Sequence, residues 1–164
     1  LLNAMITVSD NDSANTLVGM LGNGDNAAGQ EAVNTYCKNN GYTDTSMGRM
    51  LLEKASANEN YTSARDCSVF LKNIYENKLE HSEDMLNLLK QQTRTEKIPK
   101  GIPSGVETAN KTGELDHVEN DAAIVFDGEN PYIICVMADN LSDTTEARQR
   151  IVDISSVVYE NISK

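Results

Sequence analysis

With 164 residues, of which 24% are charged and 39% hydrophobic, the chain has the composition of an ordinary globular domain with room for one sizeable core. A formal net charge of -11 speaks against nucleic acid as a partner, because displacing the counterions of a polyphosphate takes clustered Lys and Arg. No apolar run approaches the about 20 residues of a membrane-spanning helix, and three scattered cysteines with two histidines do not make a zinc site.

The sequence opens at Leu1 with no initiator Met, basic stretch or cleavage site, so a processed or excised chain is expected. Ala14, Leu17, Val18 and Leu21 recur at the spacing of one helix face, and Gly22-Asn23-Gly24-Asp25 should end that helix. A second helix is predicted over 26–39, with Ala32, Val33, Tyr36 and Cys37 on one side and a stop at Asn40-Gly41. Residues 42–61 are polar and aperiodic, the pattern of a long surface loop, and such loops are often functional. Thr62 or Ser63 should cap a helix bearing Ala64, Cys67, Phe70, Leu71 and Ile74. Ser82-Glu83-Asp84 opens another with Met85, Leu86 and Leu89 inward, and His81 is an exposed residue before it.

Past Ile98-Pro99-Lys100-Gly101-Ile102-Pro103 the period becomes that of strands: 106–111, 117–126 and 132–138, the last two joined by the hairpin signal Asp127-Gly128-Glu129-Asn130. Residues 122–126 and 133–137 are nearly continuous apolar runs, as in strands covered on both faces. Cys67 and Cys135, among apolar neighbours, read as buried free thiols. The chain ends in one long helix, with Asp143 and Glu146 as a capping box and Ala147, Ile151, Ile154, Val158 and Ile162 as its stripe. This order predicts an α+β fold: a helical layer plus a three-stranded antiparallel sheet covered by a C-terminal helix. It forms one incomplete domain over 1–164, mainly helical over 1–105 and a strand meander with its helix over 106–164.

Two triplets carry chemistry. Ser9-Asp10-Asn11 lies at the mouth of a loop between two helices, and Lys111-Thr112-Gly113 closes the first strand. Either alone is common, and Ser-Asp-Asn is also a capping cluster, a role assigned to Asp10. In this order, with helices between them and a hairpin and terminal helix after, the chain resembles class A β-lactamases and their relatives among penicillin-binding proteins. The marks of that group are S-x-x-K, S-D-N and K-T-G. The approach Met5-Ile6-Thr7-Val8, and a helix with Ala14, Asn15 and Leu17, resemble it too. The resemblance spans essentially the whole chain and implies a truncated β-lactamase/transpeptidase-like fold without the family's first third. No Ser-x-x-Lys occurs in the sequence; Thr108-Ala109-Asn110-Lys111 has the spacing but would put the nucleophile inside a strand and consume the motif lysine.

The resemblance implies the roles. Ser9 relays a proton to the leaving nitrogen, and Asn11 donates its amide to a substrate carbonyl. Lys111 supplies positive potential and the Thr112 hydroxyl bonds the substrate carboxylate. Gly113 admits substrate close to the strand, and the backbone N–H of Glu114 belongs to the oxyanion hole. A deacylating glutamate is expected two residues after Arg49, but Leu51 stands there; Glu53, two residues later, is the substitute candidate, and Glu59 lies later still. Arg49 is assigned a loop-tying ion pair. The arginine that relatives often carry on the next strand is absent, with Asn120 and Asp121 nearby. His117 reads as a polar strand-end residue. No cofactor or metal is implied. The parent is expected to be a β-lactamase-type serine hydrolase, the alternatives being a D-alanyl-D-alanine carboxypeptidase or transpeptidase, or a non-catalytic fragment. Its partner is a small β-lactam or peptidoglycan peptide with a carboxylate, in an extracellular or cell-envelope setting. The outer edge of strand 132–138 is expected to be bare, ready for a homodimer or an N-terminal partner segment.

Overall fold

The computed structural model of the chain describes residues 1–54 and 58–162, in two compact units, Leu1–Asp66 and Cys67–Lys164. In the first unit a short helix, α1 (Leu2–Thr7), precedes α2 (Asn11–Leu21), so Ser9 and Asp10 lie between two helices while Asn11 opens the second. Asp10 Oδ2 accepts the Ser13 N–H at 2.7 Å and caps α2. Asp25 Oδ1 accepts the N–H groups of Ala27 and Ala28 and caps α3 (Asn26–Asn39). Each carboxylate satisfies donors that the first helical turn leaves open.

Helices α2 and α3 pack on small residues. A Cβ at Gly29 would stand 2.0 Å from the Val18 carbonyl oxygen, so only glycine permits this approach. Two expectations fail for this reason. Leu21 is 61% exposed, and Ala32 and Tyr36 face outward while Cys37 is buried. Tyr36 instead stacks on Tyr42, with ring centroids 6.4 Å apart. The predicted irregular loop over 42–61 is present in its described part, pinched by a two-way backbone pairing of Ser46 and Tyr61, both bonds 2.9 Å; residues 55–57 lie outside the described ones. Ser63, rather than Thr62, caps α4 (Ala64–Tyr75), its hydroxyl accepting the Asp66 N–H at 3.1 Å.

In the second unit α5 (Ser82–Lys90) starts from His81, which occupies the cap position itself in the left-handed conformation, φ 61°, without a side-chain cap bond. The sheet is β1 (Glu107–Leu115), β2 (Val118–Phe126) and β3 (Tyr132–Ala138), antiparallel in the order β1-β2-β3. Strand β1 runs four residues past the predicted end because its pairing with β2 continues to Leu115↔Val118. The Lys-Thr-Gly triplet therefore sits inside the strand, and Asp116 and His117 make the turn. His117 is thus no strand residue; its ring Nδ1 lies 2.9 Å from the Leu141 carbonyl oxygen.

Strand β2 is buried on both faces from Asp121 to Val125. On one face Ala123, Val125 and Ile134 share a core with Ile98, Ile102 and Ile151; helix α5 packs against β1. The covering helix, α6 (Thr144–Ile162), buries Ala147, Ile151 and Ser155, while Ile154 is 45% and Ile162 43% exposed. The predicted stripe is turned because a short 3-10 turn, Ile98–Gly101, presses on the helix. A Cβ at Gly101 would meet the Val152 carbonyl at 2.4 Å, and the Ser155 hydroxyl donates to the Ile98 carbonyl at 2.8 Å. Half of the predicted capping box forms: Asp143 accepts the N–H groups of Thr145 and Glu146, but the Glu146 carboxylate pairs with Arg150 one turn on. All three cysteines are free, yet Cys37 is the buried one and Cys67 and Cys135 are half-buried.

Candidate functional site

In the first unit, Ser9 links α1 to α2 with φ 61°, a left-handed conformation that a residue with a Cβ adopts rarely. It is half-buried, and Asn11 is exposed at the first position of α2. Asp10 has the structural role assigned to it. Hydrogen bonds from the Ser13 hydroxyl and amide hold its carboxyl below the usual range.

The loop that follows is pinned by asparagines. The Asn15 amide both accepts from Leu51 N–H and donates to the Leu51 carbonyl, each at 2.9 Å. Asn34 does the same for Met47, at 2.7 and 3.0 Å. Asn60 Oδ1 accepts the N–H groups of Gly48 and Arg49. Helix α2 thus presents Asn11 and fixes the backbone of Leu51. Arg49 forms the expected ion pair, 2.8 Å to Glu59, and also donates to the Glu53 carbonyl. The exposed Glu53 turns its carboxylate back to accept the Met50 N–H at 3.2 Å.

In the second unit, successive β1 side chains alternate between faces, Lys111 and Gly113 on one, Asn110, Thr112 and Glu114 on the other. Lys111 is half-buried and its ammonium donates to the Thr112 carbonyl at 2.7 Å. Burial, with the charges of Arg94 and Lys97, lowers its pKa against the opposing pull of Asp121 and Glu114. Thr112 is buried. A Cβ at Gly113 would meet only the Asn120 side chain, at 3.6 Å, so packing among the described residues does not demand glycine there. Asn120, opposite Gly113, spends its Oδ1 on the Ala138 N–H.

Beneath this strand lies a charged network that sequence reasoning missed. The Lys97 side chain is 1% exposed and that of Glu119 is fully buried, with Nζ 2.6 Å from Oε2; Glu119 also accepts from Arg148 Nε at 2.7 Å. Lys97 further donates to the carbonyls of Gly113 and Asn120 and pairs with Glu114 at 3.2 Å. Burial pushes the Glu114 carboxyl up, yet Lys97, Arg148 and Arg94 together carry it below the ordinary range. Asp121 accepts from the Ile98 N–H and from Asn110, and burial raises its carboxyl to about 6. Nothing in the sequence flagged Lys97, because a lone lysine beside an Ile-Pro pair reads as solvated; Asn15 gave no signal beyond its place in the resemblance.

A profile described as the beta-lactamase enzyme family matches residues 1–162. The chain belongs to the β-lactamase enzyme family. Among solved structures, this β-lactamase-family chain is similar to PBP-A, at 26% identity and a TM-score of 0.84 over 97% of this chain and 58% of that one. A PBP-A variant with a leucine replaced by glutamate, solved as an acyl-enzyme complex with penicillin G, matches at 25% identity and TM-score 0.84, over 97% of this chain and 59% of that one. A β-lactamase from Sphaerobacter thermophilus DSM 20745 shares the fold at 24% identity and TM-score 0.84, over 98% of this chain and 61% of that one. The chain therefore spans less than two thirds of these structures' length. No curated protein matches the sequence.

Proposed function

We propose that the chain is the substrate-binding and proton-relay portion of a serine enzyme that opens β-lactams through an acyl-enzyme and releases the acyl group slowly. The reading rests on the loop. Leu51 occupies the position where the family resemblance expects a water-activating glutamate, and Asn15 holds its backbone at both polar groups. The substitute, Glu53, has its carboxylate engaged by the Met50 N–H. Without a base, acylation proceeds and hydrolysis stalls. The similarity to PBP-A supports the same reading.

In this proposal a serine from outside these residues attacks the amide carbonyl, and Ser9 delivers the proton to the departing nitrogen as the C–N bond breaks. Asn11 donates to a substrate carbonyl. The ammonium of Lys111 supplies positive potential for the substrate carboxylate; the Thr112 hydroxyl, its bonding partner by the resemblance, lies on the opposite, buried face of β1. Arg94, whose guanidinium lies 3.6 Å from the Glu114 carboxylate, brings a positive charge to the motif strand in place of the absent strand arginine. Bare Gly113 admits the substrate, and the Glu114 N–H stabilises the oxyanion. The substrate is a β-lactam or a peptidoglycan peptide ending in D-alanyl-D-alanine, which places the parent at the cell envelope or outside it. Among the described residues no helix is long and apolar enough to cross a membrane. The outer edge of β3 takes either a strand from upstream sequence or a second copy.

The second reading is fast β-lactam hydrolysis with Glu53 as base, which the family profile favours. The deciding experiment restores the upstream coding region and follows two signals. Stable labelling by fluorescent penicillin, lost in Lys111→Ala, supports the first reading; rapid opening of a chromogenic cephalosporin supports the second. Absence of both overturns the two together.

A further inference from the structure

The proposed oxyanion donor is the N–H of Glu114, and its peptide unit is shared with the carbonyl of Gly113. That unit is planar and trans, so its C=O and N–H point in opposite directions and turn together. The Lys97 ammonium donates to this carbonyl at 3.3 Å and to that of its cross-strand partner Asn120 at 3.0 Å. The same ammonium pairs with the Glu114 carboxylate at 3.2 Å. Strand β1 is at the edge of the described sheet, so it pairs with β2 alone.

A buried lysine and glutamate are a poor way to stabilise a sheet. Desolvating two charges costs several kcal/mol, and an apolar pair of similar volume often does as well or better. Here the side chains of Lys97 and Glu119 are 1% and 0% exposed. Glu119 Oε2 receives no directed hydrogen bond and is neutralised by the nearby ammonium charge. What the pair delivers is a charged donor, held in place by Glu119, that is shared between the peptide oxygens of Gly113 and Asn120. Such a charge fixes the orientation of the peptide and polarises it, making its N–H a stronger donor.

We propose that Lys97 is a positioning residue for the oxyanion donor: from the buried side it holds the Gly113–Glu114 peptide so that the Glu114 N–H faces the reacting carbonyl. Glu119, steadied by Arg148, keeps that ammonium in place. The proposal rests on the function proposed above.

The test uses the full-length protein with Lys97→Met and with the pair Lys97→Met/Glu119→Gln, which removes both buried charges. Penicillin acylation is resolved into pre-acylation binding and the acylation rate, beside the melting temperature and the ¹H–¹⁵N signal of the Glu114 amide. The paired variant should regain most of the stability lost in Lys97→Met. Its acylation rate should stay roughly 10- to 100-fold down, less than the cost of deleting an oxyanion donor outright, with pre-acylation binding little changed. The Glu114 amide proton should move upfield as its peptide loses polarisation. A stable paired variant that acylates at the wild-type rate overturns the positioning role. If the wild type itself is not acylated, the function proposed above fails, and the Glu114 amide decides: an unmoved signal overturns the positioning role as well.

Discussion

The two units fix their candidate site residues by different physics. In Leu1–Asp66 the loop is fastened by neutral amide side chains copying backbone pairing: Asn15 on Leu51 and Asn34 on Met47, each with one bond given and one received. In Cys67–Lys164 the motif strand is backed by an apolar core and, beneath it, by ions shut away from water. Neutral amide pairs bond with little desolvation penalty and set a loop's path without setting its charge. Buried ions cost more and impose a field on what they touch. The first device leaves a position free to change chemistry; the second does not.

That contrast can be broken or sharpened by experiment. The largest effect is expected at Leu51, where the proposed function lacks a base and the backbone is already held. In the full-length protein, Leu51→Glu should speed release of a penicillin acyl group by about 10²–10⁴-fold, the usual contribution of a positioned general base, read as recovery of free enzyme after labelling. Unchanged release would show that the loop does more than lack a carboxylate. In the second unit Ile151, 1% exposed, anchors α6 to the sheet, and Ile151→Ala should cost about 2–5 kcal/mol in urea unfolding.

Asp121 makes the cost of buried charge visible in a pH profile. Its carboxyl is raised to about 6 by burial, against the opposing pull of Asn110, the Ile98 N–H and Lys97. The folded state therefore holds this proton more tightly than the unfolded chain, whose carboxyl titrates near 4. Its contribution is full below about pH 4 and lost as pH rises through 6, by at most about 3 kcal/mol. Asp121→Asn should flatten that part of the stability profile, and a mutant profile parallel to the wild type would refute this. The smallest effect is expected at the amide clamp. Asn15→Ala should cost about 1–3 kcal/mol and speed hydrogen exchange at the Leu51 amide, with the core amides of β2 unaffected.

The caps Asp10 and Asp143 were legible because a short polar side chain before an apolar period has few other uses, whereas Asp25 was read only as part of the turn that ends α2. The span of α3, the hairpin after β2 and the presence of α6 were legible for the same kind of local reason. Helix facing was less so. The sequence assigned large apolar residues to the interior, but Gly29 and Gly101 let backbones approach so closely that Leu21, Tyr36 and Ile154 were turned out. The two motifs were visible as triplets, whereas their supports were not. Asn15 acts on a residue 36 positions away and Lys97 on one 16 away, separations that carry no period.

By itself, then, the sequence determined the order and approximate spans of the helices and strands, the caps at Asp10 and Asp143, and to which family the motifs point, because these follow from neighbours within a few positions. Only the tertiary structure decided which helix faces are buried, that Lys-Thr-Gly lies inside its strand, and that a buried ammonium sits behind the Gly113 carbonyl. The physical reason is that burial is a property of packing: a lysine in water and a lysine sealed beneath a sheet are the same letter, and only the surrounding chain makes one of them a fixed charge.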